Sequence, residues 1–250
     1  MSTIFEADGV PHFTADVDAW LSAVMGCRVN RISRAAAPDA TGAAAWAEAL
    51  AAPGFSYAKL PCQAVVAAQR LEDAGFRYVD VGIVLDADRS AVPARATTGV
   101  RPATPQDEAA VAALAASAFR WSRFHLDPAV PNALANRIKG AWAANYFSGR
   151  RGDHMVVAEA DGSIAGFLQL LYDSERRLVI DLIAVGSAWR GRGLASAMIA
   201  HAAAQWAGEA GLRVGTQLAN RDSFALYQRL GFRLSDASLI FHRHHAVVWE

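Results

Sequence analysis

The segment that most constrains the fold is residues 178–195, where an apolar run passes directly into glycines and arginines. The run LVIDLIAV predicts a strand, and the residues after Gly193 predict a helix. Gly191 and Gly193 therefore lie in a turn at a helix N-terminus, where backbone N–H groups and the helix dipole attract phosphate. The segment predicts a pyrophosphate cradle, although a glycine turn with arginines in solvent fits these residues equally well.

Two common phosphate loops are excluded by the residues in this turn. The GK[ST] ending of a Walker A loop is missing, and Ser196 stands where a dinucleotide-binding fingerprint has its third glycine. The remaining interpretation is an adenine cofactor that carries a pyrophosphate and binds by another motif.

The order of the predicted elements indicates an α/β chain with two domains. Residues 86–105 are small, polar and proline-containing, which places a boundary near residue 93 and predicts a smaller α/β domain at 1–92 and a larger one at 93–250. The larger domain has a predicted mixed, mostly antiparallel sheet flanked by helices. Helices are predicted at 16–25, 42–51, 62–74, 105–118, 132–147, 193–210 and 221–230, and strands at 76–85, 98–101, 154–159, 164–171, 178–185, 212–218 and from 232 onward.

The charge balance argues against polymeric and membrane partners. The 24 basic and 24 acidic side chains cancel, so the chain has no overall field that attracts nucleic acid or an anionic membrane. No stretch reaches the ~18 apolar residues that span a bilayer, and the first residues lack a signal-peptide pattern, so a cytoplasmic location is expected.

Cys27 and Cys62 are far apart and outside any CxxC pair, which predicts neither a disulfide nor a zinc cluster.

Two motifs in the larger domain resemble those of the GCN5-related N-acetyltransferase (GNAT) superfamily. Arg190-x-x-Gly193-x-Ala195 resembles its acetyl-CoA signature, and the downstream pattern is matched by Asn220, Ser223, Leu226, Tyr227, Gly231 and Phe232. The resemblance implies the acyl-CoA N-acyltransferase fold, with acetyl-CoA as co-substrate. It also implies cofactor binding by Ile183, Ala184, Val185, Arg190, Gly191, Arg192, Gly193, Leu194, Ala195, Asn220 and Tyr227.

A narrower resemblance concerns the acceptor. FRWSRFHLDP and LEDAGFRYVDVGIVLD resemble segments of bacterial TDP-fucosamine acetyltransferases and related nucleotide-sugar N-acetyltransferases, which implies an amino-sugar acceptor. The eligible substrate-contacting side chains are Phe119, Trp121, Arg123, His125, Asp127 and Tyr146, of which the aromatic ones are also compatible with core positions. Acetylation of a small amine, an amino acid or a protein N-terminus, and a CoA-binding module without turnover, stay open as alternatives.

Acyl transfer to an amine needs a general acid and a general base. Tyr227 matches the family's usual general acid, since a phenol with a pKa of ~10 stays protonated until a thiolate with a pKa of ~8.5 forms. Asp181, on the predicted strand, is the candidate base, with an ion pair to Arg177 or Arg213 as the alternative. Glu159 and Asp173 are weaker candidates for the base.

Two further features carry less chemistry. His242 and His244 would share one face of a strand, but no carboxylate or cysteine stands nearby at a matching spacing, so a polar edge strand is predicted and no metal is expected. Residues 1–92 can shape the acceptor cleft, mediate self-association as in a homodimer, or be a decayed copy of the same fold. The last idea rests on the similarity of residues 70–76 to residues 228–232.

Overall fold

The computed structural model describes residues 11–37, 39–247 and 249, and the chain forms two compact units. The first unit consists of Met1–Gly82, Arg123–Pro131 and Ala237–Glu250, as far as these are described, and the second of Ile83–Ser122 and Asn132–Asp236. This division differs from the predicted boundary near residue 93 because residues 123–131 and 237–250, which are distant in sequence, belong to the first unit. The predicted domains at 1–92 and 93–250 stay predictions.

Helices and strands alternate up to residue 87, and farther on three successive helices (108–147) precede three successive strands (154–185). The helices are α1 (Ala19–Met25), α2 (Ala40–Ala51), α3 (Val65–Asp73), α4 (Glu108–Ala118), α5 (Arg123–Leu126), α6 (Asn132–Phe147), α7 (Leu194–Trp206) and α8 (Arg221–Arg229). The strands are β1 (His12–Val17), β2 (Val29–Ala35), β3 (Gly54–Pro61), β4 (Arg77–Ala87), β5 (Val100–Pro102), β6 (His154–Ala160), β7 (Ser163–Tyr172), β8 (Leu178–Val185), β9 (Leu212–Gln217) and β10 (Arg233–His245). Both β4 and β10 have residues in each unit.

In the first unit the strand order is β1-β2-β3-β10-β4. β1 and β2 are antiparallel, β2 and β3 are parallel, and β10 pairs antiparallel with β3. Phe13, Leu71, Phe76 and Phe241 form the centre of its apolar core. β10 is therefore an interior strand with a neighbour on each side, and the prediction of an edge strand for His242 and His244 was wrong.

In the second unit β5 to β8 form an antiparallel meander, and β8 continues into the parallel strand β9. Asp161 and Gly162 both have positive φ values, 52° and 72°, as the two central residues of a type I′ hairpin turn require. The core between α4, α6 and the sheet is built around Val111, Met155 and Phe167. The predicted mixed, mostly antiparallel sheet flanked by helices is confirmed.

Several helix ends follow directly from the sequence. The Asp39 side chain caps α2 by accepting a hydrogen bond of 2.6 Å from the Gly42 N–H. A single 3₁₀ turn at Pro105–Asp107 precedes α4, with Thr104 and Asp107 forming a capping box. Within the described ranges, no helix combines the length and apolar character needed to cross a bilayer.

Candidate active site

The centre of the second unit is the place where β8 and β9 separate. The two strands pair in parallel only from Leu178 with Leu212 to Ile180 with Val214. On its other side β8 pairs with β7 to its end, and one extra residue, Asp181, stands between the pairs Leu170–Ile180 and Gln169–Leu182. This is a β-bulge, which bends a strand and increases its twist. The bend begins where the pairing with β9 ends.

The separated strand ends form the walls of a cavity of about 580 Å³. One wall is residues 180–185 of β8 and the other is residues 214–217, at the end of β9. The rest of the lining comes from the turn and start of α7, from residues 220–229, from the segment 118–122 and from Lys139. Because the register of β8 with β9 ends at Ile180, the following backbone of β8 can pair with an extended ligand as an added strand would.

The turn before α7 has the conformation expected of an anion cradle. Gly191 and Gly193 have φ values of +78° and +79°, which glycine adopts without the penalty of other residues. A Cβ at either position would meet no atom within 4 Å, so backbone conformation, not crowding, requires glycine here. Gly193 is the N-cap of α7, whose first N–H groups have no partner within the helix.

The two arginines of the turn differ in their contacts. Arg190 lines the cavity and donates hydrogen bonds of 3.2 Å to the carbonyl oxygens of Val185 and Ala118. Arg192 instead pairs with Asp161 at 3.3 Å and is not among the cavity-lining residues. The sequence placed both on the pyrophosphate, whereas this arrangement favours Arg190.

Asn220 and Tyr227 both line the cavity. Asn220 is the N-cap of α8, and its side chain accepts from the Ser223 N–H at 3.4 Å, as its position in sequence predicts. Tyr227 lies in the last turn of α8 and is only 2% exposed. Burial raises the pKa of its phenol well above the ordinary value, so the hydroxyl stays protonated at neutral pH.

Asp181 also lines the cavity, but its carboxylate is held by four donors. Arg151 donates from Nη2 to Oδ1 at 2.6 Å and from Nε to Oδ2 at 2.7 Å. Trp142 Nε1 and Gln169 Nε2 donate to Oδ2 at 2.9 and 3.1 Å. The ion-pair partner expected from sequence was Arg177 or Arg213, and the structure corrects it to Arg151.

The other two candidate bases are engaged elsewhere. Glu159 pairs with Arg101, and the Asp173 carboxylate accepts from the backbone N–H groups of Glu175 and Arg177. Neither acidic residue is among those that line the cavity.

At one end of the cavity, aromatic rings surround a lysine. Lys139 is 9% exposed, with its ammonium nitrogen 5.0 Å from the Phe119 ring centre and 4.8 Å from the Trp142 ring centre. Phe119 and Trp121 line the cavity as predicted for substrate contacts. Tyr146 does not line it and packs against the core between α4 and α6.

Sequence reasoning missed the residues that hold Asp181, namely Trp142, Arg151 and Gln169. The available signal was Gln169, a polar residue in the otherwise apolar strand β7, where it is fully buried. A buried amide needs polar partners, and Asp181 on the neighbouring strand supplies one.

The remaining predicted substrate residues, Arg123, His125 and Asp127, belong to the first unit. The Arg123 guanidinium lies 3.8 Å from the Tyr57 ring centre, and the Tyr57 hydroxyl donates to Asp18 at 2.9 Å. Asp127 lies beside His242 and His244 of β10.

Comparison with known proteins agrees with this architecture. The model of the acetyltransferase (GNAT) family matches residues 110–232. A spore coat polysaccharide biosynthesis protein, SpsD of Bacillus subtilis (strain 168), is 32% identical over 143 residues, which are 56% of this chain and 49% of that protein. The chain therefore aligns with about half the length of this curated relative.

Solved structures share the fold at low identity. A GCN5-related N-acetyltransferase from Sphaerobacter thermophilus matches with a TM-score of 0.61 at 18% identity, over 92% of this chain and 76% of that one. A tandem GNAT protein from the clavulanic acid biosynthesis pathway matches with a TM-score of 0.57 at 17% identity, over 88% and 76%. Residues 110–232 therefore match the acetyltransferase (GNAT) family, and the solved structures show that the fold is shared.

Proposed function

We propose that this chain is an acetyl-CoA-dependent N-acetyltransferase that acetylates a primary amine. The proposed acceptor is the amino group of a nucleotide-linked amino-sugar. The observation that carries the proposal is the cavity between β8 and β9, with the glycine turn before α7 on its rim. This arrangement offers an unpaired strand edge for a pantetheine arm and a helix N-terminus for a pyrophosphate.

The residues proposed to hold acetyl-CoA are those that line this cavity along β8, the turn and α8. They are Ile183, Ala184, Val185, Arg190, Gly191, Gly193, Leu194, Ala195, Asn220 and Tyr227. Arg192, which pairs with Asp161, is proposed to support the turn rather than the cofactor.

Acetyl-CoA, when bound, supplies an acetyl thioester, whose carbonyl carbon the acceptor nitrogen attacks as the C–S bond breaks. Tyr227 is proposed as the general acid that donates a hydrogen bond, and then the proton, to the departing thiolate. Its burial keeps the phenol protonated, so the hydroxyl can donate a hydrogen bond to the sulfur as negative charge develops there. Because the raised pKa makes the phenol a weaker acid, transfer of the proton follows that hydrogen bond.

Asp181 stays a candidate general base, but its surroundings favour a positioning role. Three of its four donors converge on Oδ2 and one reaches Oδ1, so one lone-pair position, on Oδ1, is open to a proton. The same donors hold the carboxylate in one place. We therefore propose that Asp181 fixes Trp142, whose ring packs against the cavity-lining Lys139.

The charges at the cavity support an acceptor with anionic groups. Arg120 and Lys139 line the cavity from elements other than the glycine turn, and the negative charge of Asp181 is compensated by Arg151. A nucleotide diphosphate suits this excess of positive charge better than a polyamine does. The curated relative is named for polysaccharide biosynthesis, which points in the same direction.

The first unit supports the interpretation of residues 1–92 as a decayed copy of the same fold. Its parallel strands β2 and β3 are joined by α2 and followed by α3 and β4. In the second unit the parallel strands β8 and β9 are joined by α7 and followed by α8 and β10.

Cleft formation and homodimerisation stay open as roles of residues 1–92. The cytoplasmic location and the absence of nucleic-acid and membrane partners stay predictions.

The test is acetyl-CoA-dependent release of free thiol across TDP-linked 4-amino-sugars, amino acids, polyamines and short peptides. Release only with the amino-sugars supports the proposed acceptor, and release with amino acids or peptides supports the alternative small-amine or protein acceptor. No release from any acceptor, with acetyl-CoA still bound, would leave a CoA-binding module.

The general acid is tested with Tyr227→Phe, with the exposed Tyr78→Phe on β4 as control. Tyr227→Phe should lower kcat at least ~100-fold and leave the acetyl-CoA Kd within ~3-fold. If Tyr227→Phe instead weakened acetyl-CoA binding and left kcat unchanged, the assignment of the acid would be wrong.

A further inference from the structure

A second cluster of chemically active side chains lies in the first unit. His242 and His244 stand two residues apart on β10 and so point to the same face. Asp127, 115 residues from His242 in sequence, meets both: its Oδ2 lies 2.6 Å from His242 Nδ1 and 2.8 Å from His244 Nε2. No metal is predicted from sequence, because no carboxylate stands near these histidines along the chain. The fold supplies that carboxylate.

We infer that Asp127, His242 and His244 form a binding site for a divalent transition-metal ion. The set of two imidazoles and one carboxylate is a common ligand set for Zn²⁺ and for Fe²⁺, Mn²⁺ or Co²⁺. One potential ligand atom from each residue lies within 4.8 Å of the other two.

The spacing of the ligand atoms is close to that of a bound site. Metal–ligand bonds of ~2.1 Å put neighbouring ligand atoms ~2.9 Å apart in octahedral and ~3.4 Å apart in tetrahedral geometry. The two oxygen-to-nitrogen distances here are 2.6 and 2.8 Å, and all three ligand atoms lie within 4.8 Å of one another, so side-chain shifts of about an ångström bring them to one ion. The second carboxylate oxygen, Oδ1, is already fixed by the Ala129 N–H at 2.9 Å, which orients the carboxylate.

The ring nitrogens that face Asp127 are the ones available to an ion. His242 is 1% exposed, and neither its Nε2 nor the Nδ1 of His244, the nitrogens on the far side of each ring, has a hydrogen-bond partner among the described residues. When a metal takes the nitrogen nearest Asp127, the proton moves to the far nitrogen and the carboxylate bonds the metal. The ion therefore replaces the two hydrogen bonds to Asp127, and the far nitrogens become donors.

The surroundings favour a structural ion of moderate affinity. The Phe55 ring centre lies 4.7 and 5.1 Å from those of His242 and His244, and Phe124 and Trp249 also border the cluster. These rings limit the room for water and substrate at the ion. The positive charge of Arg123, which acts on His242, opposes a cation and should weaken its binding. The ion would join the segment 123–131 to β10.

The site is tested by titrating the chelator-treated full-length chain with Zn²⁺ and Co²⁺. We expect one equivalent to bind with a Kd in the micromolar range or below, a rise in Tm with Zn²⁺, and a visible Co²⁺ absorption band from nitrogen and oxygen ligands. Asp127→Asn and His244→Gln should each weaken binding at least ~10-fold, whereas His12→Gln, an exposed histidine on β1, should not.

Absence of stoichiometric binding to the wild-type chain would overturn the inference, and so would binding that survives both Asp127→Asn and His244→Gln. His244 is chosen over His242 because its side chain is 21% exposed, so its replacement is less disruptive to folding. The wild-type titration decides the question even if a variant fails to fold.

Discussion

The role of Asp181 can be decided by one substitution, Asp181→Asn. The change removes the negative charge and turns one oxygen into an NH₂ group that faces N–H donors. Arg151 then loses a bidentate partner, with contacts of 2.6 and 2.7 Å. Trp142 and Gln169 both donate to Oδ2, so both lose their acceptor when the NH₂ group takes that position. The Asp181 side chain is 8% exposed, so water cannot easily replace what is lost there.

The size of the effect follows from the burial of each partner. Hydrogen bonds to charged groups contribute ~1.5 to 3 kcal/mol each, and removing one member of a buried pair costs ~3 to 5 kcal/mol. The Arg151 side chain is 41% exposed and can regain water, so the lower end applies, and we expect a loss of ~2 to 3 kcal/mol. For a chain of this size that corresponds to a fall in Tm of ~4 to 12 °C.

The assay combines thermal unfolding with the pH profile of kcat. A positioning residue predicts the fall in Tm, a rise in acceptor KM, and an unchanged pH profile with kcat reduced less than ~10-fold. Asp73→Asn, at an exposed position on α3, is the control and should shift stability by less than ~0.5 kcal/mol. Unchanged stability with kcat reduced ~100-fold or more, and loss of the acidic limb of the pH profile, would refute this reasoning and make Asp181 the base.

Two further predictions concern stability and cofactor binding. Asp80 is 5% exposed, its Oδ2 has no partner among the described residues, and burial raises its pKa to about 6. Because the raised pKa favours the protonated form in the folded chain, stability is lost as pH rises through about 6. Asp80→Asn removes this loss, so it should add ~3 kcal/mol to the unfolding free energy at pH 8 and about half that at pH 5. Equal denaturant midpoints for Asp80→Asn and wild type at pH 8 would contradict this. Gly191→Ala and the control Gly26→Ala replace glycines with φ values of +78° and +74° and open space around them. Both substitutions should therefore lower the free energy of unfolding by ~1 to 2 kcal/mol. Only Gly191→Ala should raise the acetyl-CoA Kd, by ~3-fold or more. Equal Kd values for the two variants in a binding titration would remove Gly191 from the cofactor site.

Local sequence was sufficient for several elements of the second unit. The bounds of α6 and β8 were predicted to the residue, as Asn132–Phe147 and Leu178–Val185. Periodicity and turn residues determine such elements because the interactions that define them are between near neighbours. The same holds for Asn220, whose capping role depends on a contact three residues away.

The strands of the first unit were harder to predict. β1, β2 and β3 were missed, and part of β1 was assigned to a helix that begins only at Ala19. β1 and β2 have several partly exposed residues, so their apolar pattern is weak. Their stability comes from pairing with each other and with β3, and a strand's fit to its neighbours is decided by tertiary context.

The chemistry of the chain divides in the same way. The sequence by itself determined the acetyltransferase motifs, because Arg190, Gly193, Asn220 and Tyr227 lie in a turn and a helix that are local in the chain. Only the tertiary structure decided which residues hold Asp181, up to 39 positions away, and that Asp127 meets His242 across 115 positions. Hydrogen bonds and ion pairs depend on distance in space, and spacing along the chain fixes that distance only within a single turn, helix or strand.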